Sequence, residues 1–450
     1  MQTLLISYIL DPLCQKMSRF SQKGKDRLFL LGGLTIVLLT FLRHSEAVHY
    51  RYLYHFIGCI FGLGLMILGS LGREVKPVRF RKLFTAVWFT FGTLQLLSGL
   101  RNNSNYLSEA ALFLVAYPLV FICWNQAERK RLFRLLIRIL RISLAVFAAA
   151  SWLLSPIGLT QYPGIFTNTN NASYFLCLCV IASLLGLIYG EELCKNLLCL
   201  GLASGLNFYT NSRTGTFAIV FALALGLIFF LLRHNFRENC KCLGRLAAGF
   251  VAVLVFAQGL VYAYQLRHFV SLPYFDGDEK GIYTASRQEL VPENPEKLFG
   301  ISHFIHYSNT KIDSTGKNLD AYSTGRVSIW LAYAQDLNWT GHETVPPKYI
   351  PAYDKEFETT HMTCLQIAYE SGIPTGAVFL LLNVLSGFAT MGYAWNRGRE
   401  DYAAGPLMFT VAFGVLSMLG SCGASFGYLT TFLYYLCQSF VIAELPEETT

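Results

Sequence analysis

A chain of 450 residues that is 53% hydrophobic and only 14% charged falls well below the charge content of soluble proteins, about 25%. A soluble multidomain protein is therefore excluded, as the mean hydropathy of +0.41 also indicates. The net charge of +8 sits in short loops rather than on one face, so it reports membrane topology and not nucleic-acid binding. The expected fold is an all-α polytopic membrane protein.

In chain order, the short run 4–10 reads as interfacial. The basic residues Lys16, Arg19, Lys23, Lys25 and Arg27 then precede an apolar helix that has no small-residue cleavage pattern, so no signal peptide is expected. Apolar stretches of spanning length fall near 28–42, 53–71, 83–100, 107–124, 142–154, 171–189, 197–209, 215–232, 246–264, 363–392, 404–421 and 427–442. About twelve spans are thus expected, with one large polar interval between the ninth and tenth. That divides the chain into a transmembrane region 1–266, a loop domain 267–363 and a second transmembrane region 364–450.

The loops 73–82, 128–141, 233–245 and 396–401 are strongly basic. With twelve spans they share one side, which the positive-inside rule makes cytoplasmic together with both termini. The large loop is then extracytoplasmic. It contains no Cys between Arg267 and Glu358, so no internal disulfide can staple it. Its composition predicts a small cap with one or two helices. Cys240 and Cys242 lie close together in a basic loop, a weak metal signal without further ligands.

Several polar residues fall on the loop side. Asn168, Asn170 and Asn171, in Tyr162-Pro-Gly-Ile-Phe-Thr-Asn-Thr-Asn-Asn, could orient a sugar or simply cap a helix. Arg213, in Asn-Ser-Arg-Thr-Gly, stands at the outer junction of two spans, where the charge bias disfavours arginine; a snorkelling interfacial role is the plain alternative. Arg326 follows Ser323-Thr-Gly and opens a helical pattern in Val327, Trp330, Leu331, Ala334 and Leu337. Ser323 or Thr324 is the expected N-cap. A cation in the first turn opposes the helix dipole, and the placement makes sense if an anion binds there.

His361 stands where the loop re-enters the membrane and can serve as a base near neutral pH. Glu370 is expected inside the following span, where a charge is costly, with Pro374 opening the helix there. The loop acids Asp313, Asp320, Asp336 and Glu343 read as solvated surface, as does the Asp276-x-Asp278 pair. No metal site stands out, and metal-independent chemistry is expected.

Gly164-Ile-Phe-Thr-Asn-Thr-Asn-Asn, Asn211-Ser-Arg-Thr-Gly, Ser323-Thr-Gly-Arg-Val-Ser-Ile-Trp, and His361 ahead of Leu365-Gln-Ile-Ala-Tyr-Glu-Ser-Gly-Ile together resemble the O-antigen ligase and polymerase superfamily. Two positions depart from its pattern, Met362 after the histidine and His342 after Gly341. The resemblance implies a GT-C-like glycosyltransferase of the bacterial inner membrane with no cofactor or metal. Such an enzyme passes a glycan from undecaprenyl pyrophosphate to an acceptor hydroxyl on a glycan or lipid-glycan. On the matching positions Arg213 and Arg326 hold the pyrophosphate and His361 serves the acceptor. Apart from the resemblance, Asn168, Asn171 and Glu370 are candidate substrate contacts from their own chemistry, with pairing to a cation or capping of freed backbone donors the structural alternative for Glu370. The competing class is a secondary transporter or flippase, which should carry ionisable residues at mid-membrane depth; a membrane scaffold or sensor is the third.

Overall fold

The computed structural model describes residues 2–45, 52–102, 105–155, 162–269, 274–276, 281–283, 325–351, 354–423 and 425–444. The Ser323–Thr324 pair and Asp278, Asp313 and Asp320 lie outside them. The described chain is a helical bundle. Apolar runs that cannot hydrogen-bond to lipid must satisfy their backbone internally, and the helix does so within one segment.

The helices follow the expected apolar stretches: α1 Gln22–His44, α2 Tyr52–Ser70, α3 Lys82–Arg101, α4 Asn105–Ala111, α5 Tyr117–Asn125, α6 Arg129–Leu154, α7 Thr169–Ile188, α8 Leu193–Thr210, α9 Arg213–Arg233 and α10 Phe236–Phe269. A π-helical stretch, Leu112–Ala116, joins α4 to α5. Within the large loop lies α11 Arg326–Ala334, and from its end onward come α12 Thr363–Ser371, α13 Ile373–Asn396, α14 Gly405–Leu419 and α15 Leu429–Cys437.

By length and composition, seven of the described helices can cross a membrane. The other five expected stretches are helical too, but they are too short or too polar over that length. At the centre stands α7, with 94% of its spanning window buried, whereas α9 and α10 are only 28% and 17% buried. The outward residues of these two, such as Phe221, Leu232, Phe250 and Val255, are exposed and apolar. Surfaces of that kind suit lipid and not water.

The bundle has two chemically distinct ends. All four basic loops meet at one. Lys76 donates its N–H to Gln126 Oε1 at 2.6 Å, Arg129 pairs with Glu400 at 2.5 Å, and Arg399 Nε donates to Arg233 O at 3.3 Å. Two short strands close that end, with Arg79–Phe80 antiparallel to Ala443–Glu444. The loop elements gather at the opposite end, where Asn102 Nδ2 donates to Thr340 O at 2.5 Å. This sorting is what the alternating charge of the sequence predicts.

The loop region is more than helix. Lys348–Ile350 pairs antiparallel with Lys355–Phe357, and Tyr274–Asp276 with Gly281–Tyr283. Neither hairpin was expected, because three-residue strands beside prolines show no readable periodicity. Ile329, Tyr333 and Ile350 pack with Tyr369 of α12 into a small core of their own, which seats the loop on the bundle. Asp336 pairs with Lys348 and Glu343 is exposed, so both behave as surface charges.

Two local expectations need correction. The cap of α11 is Gly325, in the left-handed region at φ +84°, a conformation that glycine adopts without a Cβ penalty. Glu370 does not lie within a span: α12 ends at Ser371, Gly372 turns the chain at φ +94°, and Pro374 occupies the first turn of α13. Proline is at home there because that N–H has no helical partner. The break thus falls two residues ahead of the proline.

One segment between α14 and α15 ties the loop end together. Residues 420–423 and 425–428 are non-helical and buried at most positions, so their backbone groups must find partners elsewhere. Thr363 Oγ1 donates to Gly420 O at 2.8 Å and accepts from Cys422 N at 2.9 Å. His55 Nε2 lies 2.8 Å from Phe426 O, and His44 Nε2 lies 2.9 Å from Gly427 O. On its inner side Glu109 accepts from Ser425 N at 3.1 Å and Ser425 Oγ at 2.7 Å.

Candidate functional site

Two helices at the loop end begin on an arginine. Asn211 closes α8 in the left-handed region at φ +53°, Ser212 caps α9 by accepting from Gly215 N, and Arg213 is the first helical residue. Arg326 holds the same position in α11. A cation at a helix N-terminus faces unpaired N–H groups and the positive end of the dipole, a repulsion of about 0.3–1 kcal/mol at each site. An anion bound near either helix start would offset that repulsion.

Arg326 connects three parts of the chain. Its Nη2 donates to Thr214 Oγ1 at 3.5 Å and its Nε to Leu419 O at 3.1 Å. Burial lowers its affinity for the proton, Tyr174 of α7 opposes that shift, and the Arg213 guanidinium adds to it. The two arginines are therefore close enough to repel. Because Thr363 binds Gly420, the residue after Leu419, the start of α12 is drawn to the same place.

His361 sits two residues before α12 in the left-handed region at φ +52°. The turn is fixed by Thr360, whose N–H donates to Gln366 Oε1 at 3.0 Å and whose Oγ1 donates to Met362 O at 2.8 Å. A non-glycine residue held in that region is worth a functional question. Burial, then the Arg326 charge, then Lys355 push its pKa down to about 4. His361 is thus neutral at ordinary pH, able to accept a proton, and within the field of Arg326.

Arg213 and Arg326 therefore lie within electrostatic reach of one another, and so do Arg326 and His361. The three other predicted contacts stand further out. Asn168 spends Oδ1 as the α7 cap, accepting from Asn170 N at 2.8 Å. Asn171 Nδ2 lies 3.0 Å from His44 Nδ1. Asn170 is the asparagine tied to the arginine neighbourhood, its Oδ1 accepting from Ser212 Oγ at 3.4 Å.

Glu370 accepts from the Tyr106 hydroxyl and from Gln366 Nε2. Through Gln366 it supports the Thr360–His361 turn rather than pointing at the arginines. Burial pushes its pKa up to about 8. The folded carboxyl therefore keeps its proton up to about pH 8 while the unfolded one releases it near 4.5. Stability from this group is fully present below the unfolded value and is lost as pH rises through the folded one. Glu370→Gln should flatten that decline. Thermal unfolding in detergent between pH 5 and 9 checks it, and an unchanged slope in the variant contradicts the assignment.

Several contributors were missed from sequence. Gly341 must be glycine, at φ +81° with any Cβ only 2.2 Å from Glu370 O. His342 stacks on Tyr369 at 4.1 Å, with Nδ1 2.8 Å from Tyr369 O. Thr214, Thr363 and Tyr174 look unremarkable in sequence, since hydroxyls at helix starts are common. Glu109 was detectable as a carboxyl within an apolar stretch.

Among the described residues, no three His, Cys, Asp or Glu side chains gather to hold a metal ion; Cys240 and Cys242 acquire no partners of that kind. Chemically, the arrangement offers two guanidiniums at helix N-termini for an anion of more than one charge, beside a neutral imidazole. No protein-family model matches the chain, and no curated protein does.

Proposed function

We propose that the protein is a membrane glycosyltransferase that moves a glycan from undecaprenyl pyrophosphate to an acceptor hydroxyl, as O-antigen ligases and polymerases do. The observation that carries the reading is Arg326, which bonds Thr214 beside Arg213 and whose charge reaches His361. Paired guanidiniums suit a diphosphate because each can donate a charge-assisted fork to it. In this reading the loop end is extracytoplasmic, the basic end and the termini are cytoplasmic, and the bundle spans the bacterial inner membrane about twelve times.

The glycosyl donor already carries a good leaving group. The enzyme needs to neutralise charge growing on the departing diphosphate and to position the nucleophile. Arg213 and Arg326 supply the first. His361 takes the proton from the acceptor hydroxyl as that oxygen attacks the anomeric carbon opposite the leaving group, so the product is inverted. Neither a metal nor a cofactor takes part in this scheme. A transporter reading draws on Glu109, an acid within a span, but both its carboxylate oxygens are engaged by Ser425, which suits a fixed brace better than a moving carrier site.

Full-length protein in liposomes supplied with undecaprenyl-pyrophosphate-linked glycan and an acceptor should release undecaprenyl pyrophosphate in step with product. Movement of the intact lipid-linked glycan without release would overturn the enzyme reading in favour of transport.

The same scheme sets a pH dependence. Burial, and after it the Arg326 charge, holds His361 near pKa 4. A bound diphosphate offsets that cation and raises the value. The acid limb of kcat/KM reports the free enzyme and that of kcat the complex. The kcat limb should therefore lie at higher pH than the kcat/KM limb, and coincident limbs would remove His361 as the base.

A further inference from the structure

At the basic end, far from the arginine pair, a cavity of about 490 Å³ opens between the ends of α7 and α9, the start of α10 and the turn after α13. Its wall carries Arg233, Lys241, Arg245 and Arg399 against only two carboxylates, Glu238 and Asp401. Asp401 is already paired with Lys130 at 2.7 Å, so the wall has an excess of positive charge. Arg245 Nη2 donates to Ile188 O at 2.6 Å, and Arg399 Nε to Arg233 O at 3.3 Å. These bonds hold the guanidiniums in place without neutralising them. Arg233 Nε is buried and makes no hydrogen bond, an unmet donor in a site of like charges. Such a cluster repels itself unless an anion joins it.

The surroundings indicate which anion. Phe236 is 83% exposed and Leu232 63% exposed on the adjoining helix ends. Arg233 lies over the exposed Trp395 ring at 5.1 Å. The cavity thus adjoins α9, α10 and the end of α13, the three spanning helices least covered by protein, at the depth where basic and aromatic residues meet a head-group layer. A soluble anion would need no apolar flank. We propose that this cavity binds the phosphate of an anionic phospholipid, whose acyl chains lie along the exposed apolar faces of α9 and α10. The lipid fastens those two helices to the turn after α13. Since α9 runs from Arg213 at one end to Arg233 at the other, its seating at the basic end also sets its start at the loop end.

Native mass spectrometry of the full-length protein, offered equal phosphatidylglycerol and phosphatidylcholine with matched chains, tests the assignment. Phosphatidylglycerol adducts should be retained roughly tenfold over phosphatidylcholine, and the Lys241→Gln/Arg399→Gln double variant, which alters no core packing, should retain both equally. Phosphatidylglycerol should also raise the unfolding temperature of the wild type but not of the variant, while inorganic phosphate alone should not raise it. Equal retention of the two lipids by the wild type, or an undiminished preference in the variant, overturns the site. A shift reproduced in full by inorganic phosphate overturns the lipid assignment.

Discussion

Arg326→Ala should slow glycan transfer by a factor on the order of 100 or more, the usual penalty for losing an electrostatic donor to a transition state, while the protein still inserts. Arg326→Lys should recover little, because an ammonium keeps the charge but not the planar fork that matches a diphosphate. Arg326 also holds Leu419 O, so part of any loss is structural. Arg213→Ala separates the two effects. If both guanidiniums serve one leaving group, the double variant falls little further than the worse single variant. Initial rates of undecaprenyl pyrophosphate release, with unfolding temperatures alongside, decide the matter. A normal rate in either single variant contradicts the pairing.

Glu109→Ala should have the largest effect on stability. The carboxylate accepts from the backbone and side chain of Ser425, which is fully buried. Truncation leaves both donors, on a fully buried residue, without their acceptor. Leaving a buried donor unsatisfied costs about 1–3 kcal/mol, so with two donors stranded a loss of roughly 3 kcal/mol or more is expected. Transfer should fall as well, although Glu109 touches no reacting atom in this scheme. The segment it braces through Ser425 also presents the Gly420 carbonyl that binds Thr363 and adjoins the Leu419 carbonyl that binds Arg326. Glu109→Gln keeps one acceptor and should recover part of both losses. An alanine variant as stable and active as the wild type would show that the segment does not depend on this brace.

The readable parts of this protein were those where charge contradicts its setting. Arg213 and Arg326 were singled out as cations on the side otherwise poor in basic residues, and each proves to be the first residue of a helix. The helices were readable from hydropathy, and the sorting of the ends from the alternation of loop charge. Residues 420–423 and 425–428 could not be read, because they act mostly through backbone carbonyl and N–H groups, which nearly every residue type possesses. The same holds for Thr214 and Thr363, whose importance is in what they face. Asn168 was singled out for its side chain, yet an asparagine at that offset before a helix is as readily its cap. For Glu370 the proline signalled a break, but Gly372, which can take a positive φ, fixed its place and left the carboxyl outside the span.

Binding of the carrier itself to purified protein measures the central claim most directly. Wild-type protein should bind undecaprenyl pyrophosphate roughly tenfold or more tightly than undecaprenyl monophosphate, since the second phosphate engages a second guanidinium, and Arg213→Gln/Arg326→Gln should abolish that preference. Equal affinity of the wild type and the double variant for the pyrophosphate carrier would contradict the account.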